Sequence, residues 1–314
     1  MLPVAWTGSG QTPARLGAAA GPSSPLYLAL GDSLAAGVGA SEPAQAGYVG
    51  LVFEALRTDP ASPYREAELT LLNLGDPGET TTSIQASGGQ LEEALAEIER
   101  RKDGGTAGNE TAVITIDIGA NDFLPLVQGQ SPCLPNPLAP ACQKAAMSAL
   151  TTFRTNFTDI MRRLRAAAGP EVEIVALGLY NPLSGSGGPF GAVGDAAVEL
   201  FNSTAAAAAA DSEIQARMAD VFTLFDGRGT ELSHIAELPP DVHPNDSGHY
   251  LIAQAVVMAL GLPADAVAAP PDAGGDGDVD TPWVLYIGLV VGGVAVVAGG
   301  LVVLAQRVAR ARTE

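Results

Sequence analysis

Four short blocks of the sequence carry side chains that together can perform acyl transfer. The first, GDSL at residues 31–34, contains Ser33, whose hydroxyl can act as a nucleophile. The last, DVHPN at residues 241–245, contains His243. A histidine, with an ordinary pKa of about 6.5, can take the serine proton and return it to the leaving alkoxide. These two blocks therefore supply a nucleophile and a general base.

The two middle blocks can stabilise the negative charge that develops on the carbonyl oxygen in such a reaction. NLGDPGETT at residues 73–81 contains Gly78, whose backbone N–H is a hydrogen-bond donor. GAND at residues 119–122 contains Asn121, whose side-chain amide is another donor. Taken singly, Gly78 is also typical of a turn and Asn121 of a helix cap. Their placement after predicted strands favours the chemical interpretation.

The elements that must position these blocks follow a regular pattern. Between residues 26 and 262, short apolar runs alternate with amphipathic or alanine-rich stretches, which is typical of βα units and a parallel sheet. Because ligands bind at the carboxyl ends of parallel strands, we expect the blocks to converge there. Strands are predicted at residues 26–30, 69–74, 113–118, 172–177 and 221–225, and helices at residues 90–101, 143–168, 196–219 and 247–260.

Together the four blocks resemble the GDSL family of lipolytic enzymes, also called SGNH hydrolases, over about residues 26–262. The resemblance implies an α/β fold, a three-layer α/β/α sandwich similar to flavodoxin with a mostly parallel five-stranded sheet. It implies a carboxylic ester hydrolase that needs no cofactor and no metal. It also implies Ser33 as the nucleophile and one oxyanion amide, Gly78 as the second amide, Asn121 as the side-chain donor and His243 as the general base.

The acid of the triad departs from the family pattern. The family usually places it three residues before the histidine, where this chain has Pro240, whereas the carboxylate here is Asp241, two residues before His243. Asp241 could reach the imidazole through an altered loop, or a backbone carbonyl could orient it. We expect Asp241 in this role, since an orienting group needs only hydrogen-bond geometry. Asp32 and Asp122 are interpreted as braces for their loops.

Composition and charge exclude other classes of protein. Lys and Arg number 16 against 35 Asp and Glu, giving a formal charge of -19, which is the wrong sign for a nucleic-acid partner. The sequence has no Gly-x-Ser-x-Gly elbow, no nucleotide-binding loop and no histidine pair with metal spacing. We interpret the remaining histidines, His234 and His249, as structural.

The sequence predicts a membrane anchor near its C-terminus. Residues 283–305 are apolar and uncharged, and their helical length of about 34 Å matches the hydrocarbon core of a bilayer. Acidic residues precede this stretch in a Pro/Gly/Asp-rich linker, 263–282, and arginines follow it in the tail, 306–314. By the positive-inside rule, the tail is cytoplasmic and the domain at 26–262 lies outside the cell membrane.

Two further expectations concern the ends of the chain. Residues 1–25 are predicted to be poorly structured and contain no apolar run of signal-peptide length. Export then needs a signal upstream of Met1, and the alternative is a tail anchor with the opposite orientation. The arginine flank favours the first. Gly288 and Gly292 form a small-xxx-small pair that could join two copies as a weak homodimer.

The two cysteines, Cys133 and Cys142, are too few for a disulfide framework or a cysteine-built zinc site. They flank a short proline-rich segment after the third block. Since the proposed compartment is oxidising, we predict a disulfide between them.

Three functions are compatible with these observations. The leading hypothesis is hydrolysis of lipid or small acyl esters through an acyl-serine intermediate. Acyl transfer to a sugar hydroxyl, or removal of O-acetyl groups from envelope glycans, would use the same intermediate. A catalytically silent surface-binding protein could keep the fold, although none of the four block residues is missing. A serine-reactive fluorophosphonate separates the enzymes from the silent protein.

Overall fold

A computed structural model describes residues 24–103, 110–126, 131–133, 139–186 and 189–269. It is an α/β structure with a five-stranded parallel sheet in the order β2-β1-β3-β4-β5. The strands are β1 (Leu26–Gly31), β2 (Thr70–Asn73), β3 (Thr111–Asp117), β4 (Glu173–Leu177) and β5 (Arg217–Ala219). The helices are α1 (Pro43–Ala46), α2 (Tyr48–Thr58), α3 (Gln90–Asp103), α4 (Ala120–Phe123), α5 (Pro140–Ala168), α6 (Pro189–Ala209), α7 (Val221–Phe225), α8 (Gly229–Leu232) and α9 (Asp246–Ala259).

Helices cover both faces of the sheet, so the described chain forms three layers. Every residue of β1 is buried, and its side chains alternate between the two faces. Leu28 and its neighbours two positions away pack with α3, α5 and α6. Tyr27 and Ala29 pack with α2, α7 and α9 on the other face. The layered α/β fold with a five-stranded parallel sheet is therefore present, as predicted.

The fifth predicted strand is wrong. Val221–Phe225 forms the short helix α7, and the fifth strand is Arg217–Ala219, which lies inside the helix predicted over residues 196–219. The side chain of Asp220 accepts a hydrogen bond from the N–H of Thr223 at 3.1 Å and so starts the helix. The bounds of the other four strands differ from the prediction by at most two residues.

The predicted disulfide is present. Cys133 and Cys142 are bonded, both are buried, and their Cα atoms lie 4.6 Å apart. The bond joins the segment after α4 to the first turn of α5.

The predicted transmembrane segment 283–305 and the tail 306–314 lie outside the described residues, as do most of the linker 263–282 and most of residues 1–25. Within the part of the chain that the structure describes, no helix is both long enough and apolar enough to cross a membrane.

Candidate active site

The first three blocks meet at the carboxyl edge of the sheet, where β2, β1 and β3 end side by side. The side chain of Asn121 links all three. Its Nδ2 donates to Oδ2 of Asp32, beside Ser33, at 3.0 Å, and to the carbonyl oxygen of Glu79, beside Gly78, at 2.9 Å. Ser33, Gly78 and Asn121 are thus carried by loops that contact one another.

Two backbone amides at this edge are free. Among the described residues, no acceptor is hydrogen-bonded to the backbone N–H of Ser33 or of Gly78. Gly78 is exposed in a turn with φ of +90°, and a side chain there would meet no atom within 4 Å. Both amides are therefore available to a ligand oxygen, as an oxyanion site requires.

The amide of Asn121 is in a different state. Its Nδ2 carries two hydrogens, and the bonds to Asp32 and Glu79 use both of them. Asn121 can reach an oxyanion only by sharing or giving up one of these bonds. In the structure as it stands, it joins the loops of the site.

His243 and Asp241 form a close pair. Oδ1 of Asp241 lies 2.5 Å from Nδ1 of His243 and also accepts the backbone N–H of His243 at 3.1 Å. Partial burial acts to raise the pKa of Asp241, but its hydrogen bonds with His243 and the histidine charge outweigh burial and lower that pKa below its ordinary value. Asp241 is therefore ionised at neutral pH and holds the proton of the imidazole on Nδ1.

His234 has both ring nitrogens engaged. Its Nδ1 lies 2.5 Å from Oε1 of Glu237, and its Nε2 lies 2.8 Å from the carbonyl oxygen of Gly39. Both partners are acceptors, so the ring satisfies them only as an imidazolium. Burial acts to lower the pKa of His234, but these two partners raise it above its ordinary value.

His249 is also fully engaged. Its Nε2 donates to the carbonyl oxygen of Val38 at 3.0 Å, and its Nδ1 accepts the backbone N–H of Tyr48 at 3.3 Å. Complete burial lowers its pKa to about 4, so the ring is neutral near pH 7. Of the three histidines, all of which are described, only His243 has a ring nitrogen with no hydrogen-bond partner among the described residues.

These contacts set the loop that carries Ser33, the predicted nucleophile (the nucleophile loop, residues 32–47), against the segment that carries His243. Besides the bonds from His234 and His249, Ser41 binds Asp246 through its backbone N–H at 2.7 Å and its hydroxyl at 2.6 Å. No hydrogen bond joins Ser33 to His243 within the described structure, and Oγ of Ser33 points to Oδ1 of Asp32 at 3.4 Å. Such bonds are often long in enzymes without substrate and shorten in the Michaelis complex.

The model of the GDSL-like lipase/acylhydrolase family matches residues 29–251, which contain all four blocks. The chain belongs to this family. It is accordingly a carboxylic ester hydrolase. No curated protein matches the sequence of this GDSL hydrolase.

Solved structures share the fold of this GDSL hydrolase. A lipase from a goat rumen metagenome is 22% identical, with a TM-score of 0.55, and the match covers 75% of this chain and 97% of the lipase. A catalytic mutant of an acetylxylan esterase from Geobacillus stearothermophilus is 17% identical, with a TM-score of 0.54, and the match covers 78% and 98% of the two chains. At these identities the likeness is one of fold.

Sequence analysis missed two polar side chains that hold the site. Gln90, the first residue of α3, pairs with both backbone groups of Gly31 at 3.0 and 2.8 Å and donates to Oε2 of Glu79 at 3.0 Å. Asp117, at the end of β3, binds the nucleophile loop. A single acid in the apolar strand TAVITID was a usable signal for Asp117, whereas nothing in the sequence marked Gln90.

Proposed function

We propose that the chain is a serine esterase in which Ser33 is acylated by an ester and His243 serves as the general base. One observation carries this proposal. His243 is the histidine with a carboxylate on Nδ1 and an Nε2 that has no hydrogen-bond partner among the described residues, which is the state that a base needs. His243 lies in the last block along the chain, and its Cβ packs against Gly39 of the loop that follows Ser33.

The proposed reaction uses groups at the sheet edge in sequence. Oγ of Ser33 attacks the ester carbonyl while Nε2 of His243 takes its proton, and Asp241 stabilises the resulting imidazolium. The negative charge on the carbonyl oxygen is stabilised by the free amides of Ser33 and Gly78. The imidazolium then protonates the departing alkoxide. Water, deprotonated by His243, attacks the acyl-serine, and the acid is released as the serine regains its proton.

Asp32 assists this cycle electrostatically. It is buried beside Ser33; burial raises its pKa, and the charge of a protonated His243 opposes that rise, so the two groups favour each other's charged forms. Asn121 keeps Asp32 and the Gly78 loop in place, and it contributes to the oxyanion site when one of its two bonds is released. In this proposal Asn121 thus both holds the loops and donates to the transition state.

The membrane anchor is part of the proposal. The apolar segment 283–305, followed by arginines, would hold the domain outside the cell membrane with the C-terminus in the cytoplasm. The Cys133–Cys142 disulfide supports an oxidising compartment. Protease added to intact cells should release the domain by cutting within 263–282. Protection of that linker until the membrane is broken would reverse the orientation.

The substrate class is tested with a panel of esters on the full-length protein. The similar structures include a lipase and an acetylxylan esterase, so the panel includes p-nitrophenyl acetate, a long-chain p-nitrophenyl ester in micelles and acetylated xylo-oligosaccharides. We expect hydrolysis of at least one ester class, and absence of all hydrolysis by a folded protein would contradict the proposal. A sugar ester formed at the expense of free acid would show acyl transfer instead.

A further inference from the structure

Four successive backbone amides, those of residues 32–35, form the turn that presents the nucleophile. The N–H of Asp32 donates to Oδ2 of Asp117 at 3.0 Å, and the N–H of Ala35 donates to the same oxygen at 3.3 Å. The N–H of Leu34 donates to Oδ1 of Asp32 at 3.1 Å. Three of the four amides are therefore bonded to buried carboxyl groups, and only that of Ser33 has no acceptor among the described residues.

We infer that Asp117 is a positioning residue for ester hydrolysis, which binds the amides on either side of Ser33 and so leaves the Ser33 amide directed at the oxyanion. This inference rests on the proposed function of Ser33. In this role Asp117 does not contact the substrate. It acts on catalysis by fixing the backbone of the nucleophile turn.

The position of Asp117 is itself fixed by its surroundings. The residue is 2% exposed, and its Oδ1 accepts the hydroxyl of Tyr48, on α2, at 2.6 Å. The backbone carbonyl of Asp117 accepts the N–H of Asp32 at 3.2 Å, so the backbone and the side chain of Asp117 both bind Asp32. The carboxyl group therefore joins β3, α2 and the nucleophile turn.

Gly31 provides the space that this arrangement needs. A Cβ on Gly31 would lie 2.5 Å from both Cγ and Oδ1 of Asp117, and the residue has φ of +145°. Any side chain at the first position of the GDSL block would thus displace the carboxyl group. Gly31 and Asp117 therefore pack directly against each other.

Electrostatics indicate which substitute can replace Asp117. Burial raises the pKa of Asp117 well above its ordinary value, and the neighbouring charge of Asp32 raises it further. Tyr27 and Tyr48 face the same buried region, and burial raises their pKa values as well. We therefore expect an uncharged side chain of the same shape to be accepted at this position. An asparagine can accept both amides through its oxygen while its Nδ2 donates to the phenol oxygen.

The experiment compares Asp117→Ala, Asp117→Asn and Ser62→Ala in the full-length protein. Ser62 is also buried, and its hydroxyl donates to the carbonyl oxygen of Leu56 at 2.5 Å and accepts the N–H of Tyr64 at 3.2 Å, so its loss removes buried hydrogen bonds without touching Asp117 or the nucleophile turn. For Asp117→Ala we expect kcat on p-nitrophenyl acetate to fall by roughly 10²–10³-fold with KM changed by less than about 3-fold. Asp117→Asn should restore kcat to within about 10-fold of the parent, and Ser62→Ala should leave kcat unchanged.

Each outcome decides the inference. A kcat for Asp117→Ala equal to that of Ser62→Ala, at a similar loss of melting temperature, would show a merely structural role and overturn it. A folded Asp117→Asn that is as slow as the alanine variant would also overturn it. If the alanine variant fails to fold, Tyr48→Phe provides a second test, because it removes one hydrogen bond from the carboxyl group of Asp117. We expect Tyr48→Phe to lower kcat by about 3- to 10-fold. An unchanged kcat in Tyr48→Phe would contradict the inference. Fluorophosphonate labelling of the parent at Ser33 tests the proposed function separately.

Discussion

Oδ1 of Asp241 accepts two hydrogen bonds from the same residue, one from the backbone N–H of His243 at 3.1 Å and one from its Nδ1 at 2.5 Å. The backbone bond fixes where the carboxylate lies relative to the ring, and the ring bond fixes the proton on Nδ1. Nε2 is thereby left as the basic atom. A separation of two residues in the sequence is enough for this geometry.

Asp241→Ala should lower kcat for ester hydrolysis by roughly 10²–10⁴-fold, because the imidazole loses its orienting carboxylate and the group that stabilises its charge. Glu237→Gln is the matched control. Glu237 lies at the same 2.5 Å from Nδ1 of a histidine, but its partner His234 has no free ring nitrogen. A kcat loss for Glu237→Gln as large as that for Asp241→Ala would mean that the wrong histidine has been assigned.

Asn121→Ala should lower kcat by roughly 10²–10³-fold with a smaller change in KM. The variant loses a hydrogen-bond donor and also the two hydrogen bonds that hold the loops of the oxyanion site together. Asn202→Ala serves for comparison, because the side chain of Asn202 also makes two hydrogen bonds, both with the backbone of Leu179 and, within the described structure, none with any of the four blocks. Steady-state kinetics of both variants distinguish the roles. An effect of Asn121→Ala confined to KM would show that the side chain merely lines the site.

His249 should make the free energy of unfolding fall as the solution is acidified. Its pKa is about 4 in the folded protein against an ordinary 6.5, so the unfolded chain takes up the proton first. The contribution is fully present above about pH 6.5, is lost as the pH falls towards 4, and amounts to about 3 kcal/mol. Urea unfolding at about pH 7.5 and about pH 4.5 measures it.

For His249→Gln, the loss of stability between these two pH values should be smaller than for the parent by about 2–3 kcal/mol. His234→Gln should behave in the opposite way. The pKa of His234 is raised in the folded protein, so this residue contributes stability at low pH that disappears as the pH rises through that pKa. Equal acid losses for the parent and His249→Gln would show that the ring is not held neutral.

Sequence periodicity predicted the sheet well because buried parallel strands are short, apolar and separated by longer helical stretches. It failed at Val221–Phe225, where an apolar run of five residues fits either a strand or a helix. The side chain of Asp220 caps the N-terminus of this segment and so stabilises the helix. The strand Arg217–Ala219 has only three residues and begins with an exposed arginine, so no apolar run marked it.

The candidate site was predictable where its chemistry requires particular residue types in short blocks, as for Ser33 and His243. It was not predictable where a residue acts through tertiary contacts. Asp117 contacts the nucleophile turn from 82 to 85 residues away in sequence, and Gln90 reaches Gly31 from 59 residues away. The double engagement of the Asn121 amide likewise depends on three loops coming together.

The central claim is that Ser33 is the nucleophile, and covalent labelling tests it most directly. Full-length protein treated with a fluorophosphonate should gain the mass of one adduct, which peptide mapping should place on Ser33, and hydrolysis of p-nitrophenyl acetate should stop in parallel. Ser33→Ala should take up no label, retain the parent's melting temperature, since it removes only a part-exposed hydroxyl, and lose hydrolysis. A Ser33→Ala protein that keeps more than about a tenth of the parent rate, or a label mapped to another residue, would contradict the account.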